Sequence, residues 1–403
     1  MDGNWAPERV RRNFRIDAFA GVCAGIYLAV LIAFMPVVVR RAGGSAIDVA
    51  LVVAGPFIGH LLSPLGAYLF TGRDRVRVVA WTVIAARTVF IAGVIAATTP
   101  LLFALTTVTF WIITIANVAA YTSLMGAIYP PRERGQAMGK VRIGFSIASI
   151  ASAALAGAFI DVFPAGWVFA AAAVISMPGA IAVLFMRTDA QETPEVRRPF
   201  WEIAPDIWRD VRYRQLLISF VVFGIGNLGN AALIPLLLVD RFNAPNEFIG
   251  AYAAVQSATA IVAFWVWGRV LDRGRSSVVW AARNSALTLF IPIGYLLAPD
   301  VWVLLPVAVI AGVAIAGGEL TYHLNVMQLA PPGRVVEYAT ANSFLLGVRG
   351  TIAPFLFSAL IGIFPLPAVM LLGLGFMSAG LVLMARVVRL PDPAVTPTPA
   401  PAA

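Results

Sequence analysis

The sequence predicts an all-α integral membrane protein of twelve transmembrane helices, laid out as two six-helix halves with both termini cytoplasmic. Three observations predict it: the composition, the spacing of the apolar runs, and an internal repeat at an offset near 200 residues. Of 403 residues, 60% are hydrophobic and only 12% charged, against about 25% charged in a typical soluble domain. Too few charges are present to cover a water-exposed surface.

A bilayer core about 30 Å thick needs about 20 apolar residues in helical form, because only a helix bonds its own backbone there. That ruler picks out twelve runs: 18–39, 47–71, 78–98, 101–127, 141–160, 165–186, 216–238, 248–269, 277–298, 301–328, 341–363 and 366–386. The first is too long for a signal-peptide core and has no small-x-small site with a soluble domain after it. With the N-terminus cytoplasmic, 23 of the 29 basic residues fall on the cytoplasmic side, and the opposite loops hold only Arg40, Arg41 and Arg241. The positive-inside rule therefore places both ends in the cytoplasm of a multi-pass protein of the cell membrane. It also accounts for the net charge of +9 without a nucleic-acid partner.

The expected division is residues 1–186 and 216–389 as the two halves, a central cytoplasmic loop at 187–215, and a disordered Pro-rich tail at 390–403. In the central loop Phe200, Ile203, Ile207, Trp208 and Val211 alternate with Glu202, Asp206, Arg209, Asp210 and Arg212 at helical spacing. Such an amphipathic segment is suited to lie on the membrane surface.

The repeat is read from three pairs of segments. Pro36 with Val-Val-Val-Arg-Arg parallels Pro235 with Leu-Leu-Leu-Val-Asp-Arg; Gly66 to Arg73 parallels Gly268 to Arg275; Tyr129-Pro130-Pro131 parallels Ala330-Pro331-Pro332. On these halves, and on Gly268, Asp272, Arg273, Gly274 and Arg275, the sequence resembles the major facilitator superfamily, whose loop signature is of the G-x-x-x-D-R-x-G-R type. The Arg-to-Gly spacing is one residue tighter here. In the first-half copy, with Gly72 and Arg73, Phe70 stands where the acid belongs and the nearest acid is Asp74. The resemblance implies a secondary transporter that rocks between inward-open and outward-open states, with this motif as a cytoplasmic latch. A carboxylate at a helix end can sit against a helix N-terminus of the other half, and the arginines can pair with it or with lipid phosphates. Setting topology alone would also explain the arginines.

Charges inside the runs are costly and so mark candidate sites. These are Arg87, Arg283, Glu319 and Arg349. Glu319 and Arg349 lie at matching depth, on the order of 15 Å in, on sequential antiparallel helices. Glu319 shares a face with Tyr322 and His323, at i+3 and i+4. Two readings fit: a proton-coupling group of Glu319, His323 and Arg349, or an ion pair that fixes packing. Arg87 is expected to bond neighbouring carbonyls or to snorkel; facing the cavity, it would favour an anionic solute. Asn117, Tyr121, Asn227, Asn230, Gln256 and Tyr322 are the candidate cavity residues, since the runs that carry them line the cavity in the resembling family; interhelical hydrogen bonds are the plainer use of each. His60 sits between Pro56 and Pro64, a spacing that suggests a bend. Gly21 with Gly25, and Gly224 with Gly226 and Gly229, fit close helix approach.

No Gly-Lys-Ser/Thr phosphate loop is present, so ATP is not the expected energy source, and two histidines with the single Cys23 make no metal cluster. The expectation is a monomeric, cofactor-free transporter, not an enzyme, that moves a small solute across the lipid bilayer by alternating access. Proton coupling and efflux of small amphipathic molecules are the favoured details. An uncoupled facilitator, and a non-transporting sensor or assembly protein of the same fold, are the rivals.

Overall fold

A computed structural model describes residues 8–70, 72–130, 134–188, 200–271, 276–331 and 334–389. Among these residues there is no strand. Fifteen α-helices run in order: α1 Glu8–Arg41, α2 Ala46–Phe70, α3 Arg75–Ala96, α4 Pro100–Ile115, α5 Val118–Ile128, α6 Arg134–Val162, α7 Ala165–Ala182, α8 Phe200–Arg209, α9 Val211–Leu236, α10 Asn246–Leu271, α11 Ser277–Thr288, α12 Phe290–Leu297, α13 Leu305–Leu329, α14 Val335–Leu360 and α15 Leu366–Val388. Nine helices of the described residues are long and apolar enough to cross a membrane. The three remaining runs coincide with α2 and with two interrupted pairs, α4 with α5 and α11 with α12.

Each interruption has a local partner or cause. Pro292 has no N–H for the Thr288 carbonyl and its ring crowds that carbonyl, so α11 stops at Thr288. Asn117 stands at the break between α4 and α5, and its Nδ2 donates to Thr82 Oγ1 at 2.6 Å. By contrast α2 stays helical through Pro56 and Pro64.

Two helices extend well before their apolar runs. The polar opening of α1 continues the helix because Val10, Asn13 and Asp17 are buried on one side, and Asn13 exchanges two hydrogen bonds with the Arg187 backbone, at 2.8 and 3.0 Å. The start of α6 at Arg134 likewise places Arg142 two turns inside the helix.

The repeat is visible in the backbone. At the end of α1, Gly43 has φ +87°; 200 positions on, beyond α9, Asn243 has φ +45°. Glycine and asparagine are the residues that accept this left-handed cap. Packing repeats too, since α2 lies against α14 and α10 against α6.

The glycines read as close-approach points hold that role. A Cβ on Gly25 would strike the Phe145 carbonyl of α6, one on Gly226 the Gly373 carbonyl of α15, and one on Gly229 the ring of Phe357. In lipid, helix association relies on such contact because lipid tails are as apolar as the side chains.

The amphipathic segment of the central loop forms α8, but Ile203 and Ile207 are buried in protein, against Tyr213, Val326 and Tyr338. The membrane surface is therefore not what covers this face; an amphipathic helix takes the nearest apolar surface, and here that is the end of the α9 to α15 group. Polar contacts fasten it: Arg334 reaches Asp206 at 3.3 Å and Glu337 at 2.6 Å. The Glu337 hydrogen bond raises the Arg334 pKa above its ordinary value, so this cation stays charged. Asp210 caps α9 at the Tyr213 N–H, 3.0 Å away, and accepts from Tyr338 Oη at 2.9 Å.

The apolar core is asymmetric along the membrane normal. One large cluster joins both groups of helices through Phe34, Met35, Val49, Phe169, Leu233, Phe248, Leu304 and Met370. At the end that carries the N-terminus the core divides: Val10, Val76, Tyr129 and Val183 belong to the first group alone, and Tyr213, Leu217 and Tyr338 to the second alone. Among the described residues the buried apolar core is shared between the two groups at the far end and divided between them at the near end.

Gly25→Val and Gly226→Val are each expected to lower stability by about 1–3 kcal/mol through overpacking. Gly375→Ala, where an added Cβ meets nothing within 4 Å, is expected to be neutral or to add about 0.5–1 kcal/mol. Thermal unfolding of the purified protein in detergent separates the two classes.

Candidate functional site

The far end is closed by a two-point ionic contact. Arg40 of α1 donates from Nε to Asp240 Oδ1 at 2.9 Å and from Nη2 to Oδ2 at 2.7 Å, the paired geometry that makes arginine–carboxylate contacts strong. Arg41 donates to Asn246 Oδ1 and the Ala244 carbonyl. Asn246 in turn donates to Asp161 of α6 at 2.6 Å. Helices α6 and α10 almost touch here: a Cβ on Gly157 would lie 2.8 Å from the Asn246 carbonyl, and one on Gly250 2.7 Å from that of Ala153. Arg241 works within its own group, donating to the Tyr295, Leu296 and Ala298 carbonyls at the end of α12.

Nearer the middle, two polar bridges cross between the groups. Arg142 of α6 donates from Nη2 to Glu319 Oε2 of α13 at 2.7 Å. Both side chains keep access to solvent, at 47% and 37% of their free surface. His60 Nδ1 of α2 lies 3.1 Å from Ser343 Oγ of α14, and Ser343 also bonds Tyr322 of α13. Against Glu319 stand Arg142 and His323, and the His323 ring meets Tyr322 edge-on at 5.2 Å.

The expected pairing of Glu319 with Arg349 is not found. Glu319 is taken by Arg142 from the other group, and Arg349 turns toward α9, where Nη1 donates to the Phe220 carbonyl. The adjacency of α13 and α14 in sequence misleads because the two make only slight contact in space. Arg142 escapes sequence reading because it sits one residue inside the fifth apolar run, where a cation reads as a topology signal. Asp17 escapes for the same reason, one residue ahead of the first run. It is buried and accepts from Tyr129 Oη at 2.7 Å. The signal was available: counting back four residues along the Gly25 and Gly21 face lands on Asp17.

The other candidates scatter. Tyr121 is 39% exposed and within electrostatic reach of Asp17 and Arg142, so it joins the central cluster. Asn117 is buried at the α4–α5 break, and Asn230 is buried against Gly373 and Met377 of α15. Asn227 and Gln256 are half-buried. Arg87 is buried and donates to the Ser176 carbonyl of α7 at 2.6 Å, and Arg283 stacks on Trp280 at 4.5 Å.

Of the loop signature, Asp272, Arg273, Gly274 and Arg275 lie outside the described residues. Gly268 has open space around it, and Gly72 has φ +74°. Asp74 caps α3 by accepting from the Arg77 N–H at 3.2 Å; Arg73 bonds back to the Phe70 carbonyl at 3.2 Å. The described residues hold no cluster of three potential metal ligands.

An apolar core shared at the far end and divided at the near end, with charged side chains bridging the two groups at mid-depth, fits the architecture of a membrane carrier. The sequence profile of the Major Facilitator Superfamily matches residues 18–354. The chain belongs to that superfamily. No curated protein matches it in sequence. Among solved structures, a mutant of the nucleoside transporter NupG is similar with a TM-score of 0.71 at 12% identity, over 94% of this chain and 99% of that one. The human organic anion transporter MFSD10 follows at 0.68 and 14%, over 94% and 100%. A bacterial homologue of the human lysosomal transporter Spinster, in an inward-facing and occupied conformation, gives 0.64 and 14%, over 95% and 96%. At these identities the likeness is one of fold. This superfamily member is a multi-pass membrane transporter.

If Arg40 and Asp240 hold the far end shut, Asp240→Ala loosens it. A cysteine at Val38, 9% exposed in the sealed core, then reacts faster with an impermeant thiol reagent in a Cys23→Ser background. An ion pair this exposed is worth up to about 1 kcal/mol, or about fivefold in rate. Equal rates in the two backgrounds would show that the pair does not hold the gate.

Proposed function

We propose that the protein is a proton-coupled secondary transporter of the cytoplasmic membrane, exporting small amphipathic molecules by alternating access as a monomer. In this reading the twelve apolar runs all cross the bilayer, residues 1–186 and 216–389 are the rocking halves, and both termini are cytoplasmic.

The observation that carries the coupling is the Arg142–Glu319 bridge, 2.7 Å long and open to solvent, between the two groups of helices. Protonation of Glu319 cancels the carboxylate charge and removes the ionic tie between α6 and α13. An exposed pair contributes about 0–1 kcal/mol, so the tie biases the equilibrium between states without locking it. His323 is exposed beside the pair, and its imidazole can accept and pass on a proton, a suitable relay. Tyr121 and Tyr322 offer aromatic surface with a polar tip, which suits weakly polar cargo. Asp17, hydrogen-bonded to Tyr129, is a second carboxylate on the same side.

Purified protein in liposomes under an imposed pH gradient, screened with amphipathic solutes of each charge, tests the coupling. Solute-dependent proton flux is expected in the wild type and is expected to be abolished in Glu319→Gln, while Arg142→Gln retains proton movement with altered solute dependence. Solute flux without protons, unchanged in Glu319→Gln, would leave an uncoupled facilitator. Absence of any solute flux would favour the non-transporting sensor.

A further inference from the structure

We propose that Arg349 is the anchor for an anionic group on the solute, so that the cargo is a small amphipathic carboxylate, sulfonate or phosphate. The inference rests on the transporter reading above and names its substrate class.

Arg349 lies near the middle of α14, fourteen residues from its start at Val335. A cation at that depth is costly unless it is paired, and among the described residues no carboxylate pairs it. Glu319, the acid nearest in depth, is committed to Arg142. The ionisable side chain that faces Arg349 is Tyr322.

Hydrogen bonding does not compensate. Nη1 donates to the Phe220 carbonyl, and Nε is buried with no partner. A guanidinium has five N–H donors, so the described protein leaves most of them unused. Arg87, buried in α3, also bonds one carbonyl, that of Ser176 at 2.6 Å, but leaves no buried nitrogen without a partner. Arg241, at the far end, is satisfied by three carbonyls. Among the described arginines within the apolar runs, Arg349 leaves a buried guanidinium nitrogen, Nε, without a hydrogen-bond partner.

The sequence also makes room for the cation. A Cβ at Gly224 of α9 would lie 2.5 Å from Arg349 Cδ and 2.8 Å from Nε, so only glycine lets the guanidinium lie along α9. Its plane stands 5.8 Å from the Phe220 ring centroid, and Tyr322 lies beside it. A planar cation next to aromatic surface matches an anion with an apolar body: the acid takes the unused N–H groups and the body takes the rings. Glu319, in its ion pair with Arg142, does not compete for the site.

Binding to the purified full chain, read by calorimetry, tests this with four probes that share one ring system: 2-naphthoate, 2-naphthalenesulfonate, neutral 2-naphthamide and cationic 2-naphthylmethylammonium. The anions are expected to bind at least about tenfold more tightly than the amide or the ammonium, a preference of the size charge-assisted hydrogen bonds give. Arg349→Gln is expected to bring naphthoate and naphthamide together, and Arg349→Lys to keep part of the preference. Should Arg349→Gln fail to fold, Gly224→Ala, which pushes the guanidinium off α9, is expected to weaken naphthoate and spare naphthamide. A wild type that binds amide or ammonium as well as the anions, or an Arg349→Gln protein that keeps the preference, overturns the proposal. In that event, flux of the amide in liposomes would leave the transporter reading standing, and the absence of binding and flux for all four probes would remove both.

Discussion

Closure of one end is the constraint on which the rest of this structure depends. Inside a bilayer, apolar side chains gain little by leaving lipid for protein, so helices are held by close backbone approach and by polar contacts. The two groups of helices use both means at the far end. Gly157 and Gly250 bring α6 and α10 into contact there, and Arg40 with Asp240 adds a paired ionic contact; Gly347 and Gly350 bring α14 against α2 nearer the middle of the membrane. Arg40 and Asp240 stand 200 positions apart, the same interval that relates Gly43 to Asn243. Equivalent positions of the two repeats therefore meet, with an arginine in one and an aspartate in the other. A duplicated unit with like charges at that place would repel itself.

The bridges at mid-depth are of a different kind. Arg40 and Asp240 share two N–H contacts, but Arg142 and Glu319 share one, and His60 and Ser343 share one neutral contact. Single exposed contacts contribute little, and the apolar core beneath them is already divided between the groups. The shared apolar core lies toward the far end, and the bridging titratable groups sit where the core is divided. A carrier that must break and remake one interface per cycle is served by this distribution, because the single exposed bridges do not also have to hold the fold.

Most of the fold was legible because lipid imposes a length rule, and the glycine stripes at 21 and 25 and at 224, 226 and 229 marked real close contacts. The limits of α1 and α6 were less legible: a run is read from where apolar residues begin, and a polar opening such as that of α1, buried on one side against protein, looks like a solvated flank. That error hid Asp17 and Arg142. The pairing of Glu319 was misjudged for a separate reason. Depth along the membrane normal can be counted from sequence, but which neighbour a side chain faces is set by packing between groups, and α13 with α14 are sequential without being close. The α8 segment illustrates the same limit, since its periodicity shows an apolar face and says nothing about whether membrane or protein covers it.

The repeat also shows where the two units diverged. Their caps, glycine contacts and helix pairs correspond, yet the mid-depth residues do not. At the offset of 200 to 201, Asp17 answers to Leu217, Arg142 to Ser343, Glu319 to Val118 and Arg349 to Ala148. Each charged group of the central cluster therefore occurs once, on one side of the pseudo-symmetric pair. A symmetric set of charges would place like groups opposite one another across the interface, where they repel when the halves close. Placing acid and base on opposite sides makes the interface attractive in the ionised form and neutral on one side when a proton is bound. Which helix carries the acid sets which partner it meets, so divergence of a few side chains turns a symmetric scaffold into one whose halves meet through unlike charges.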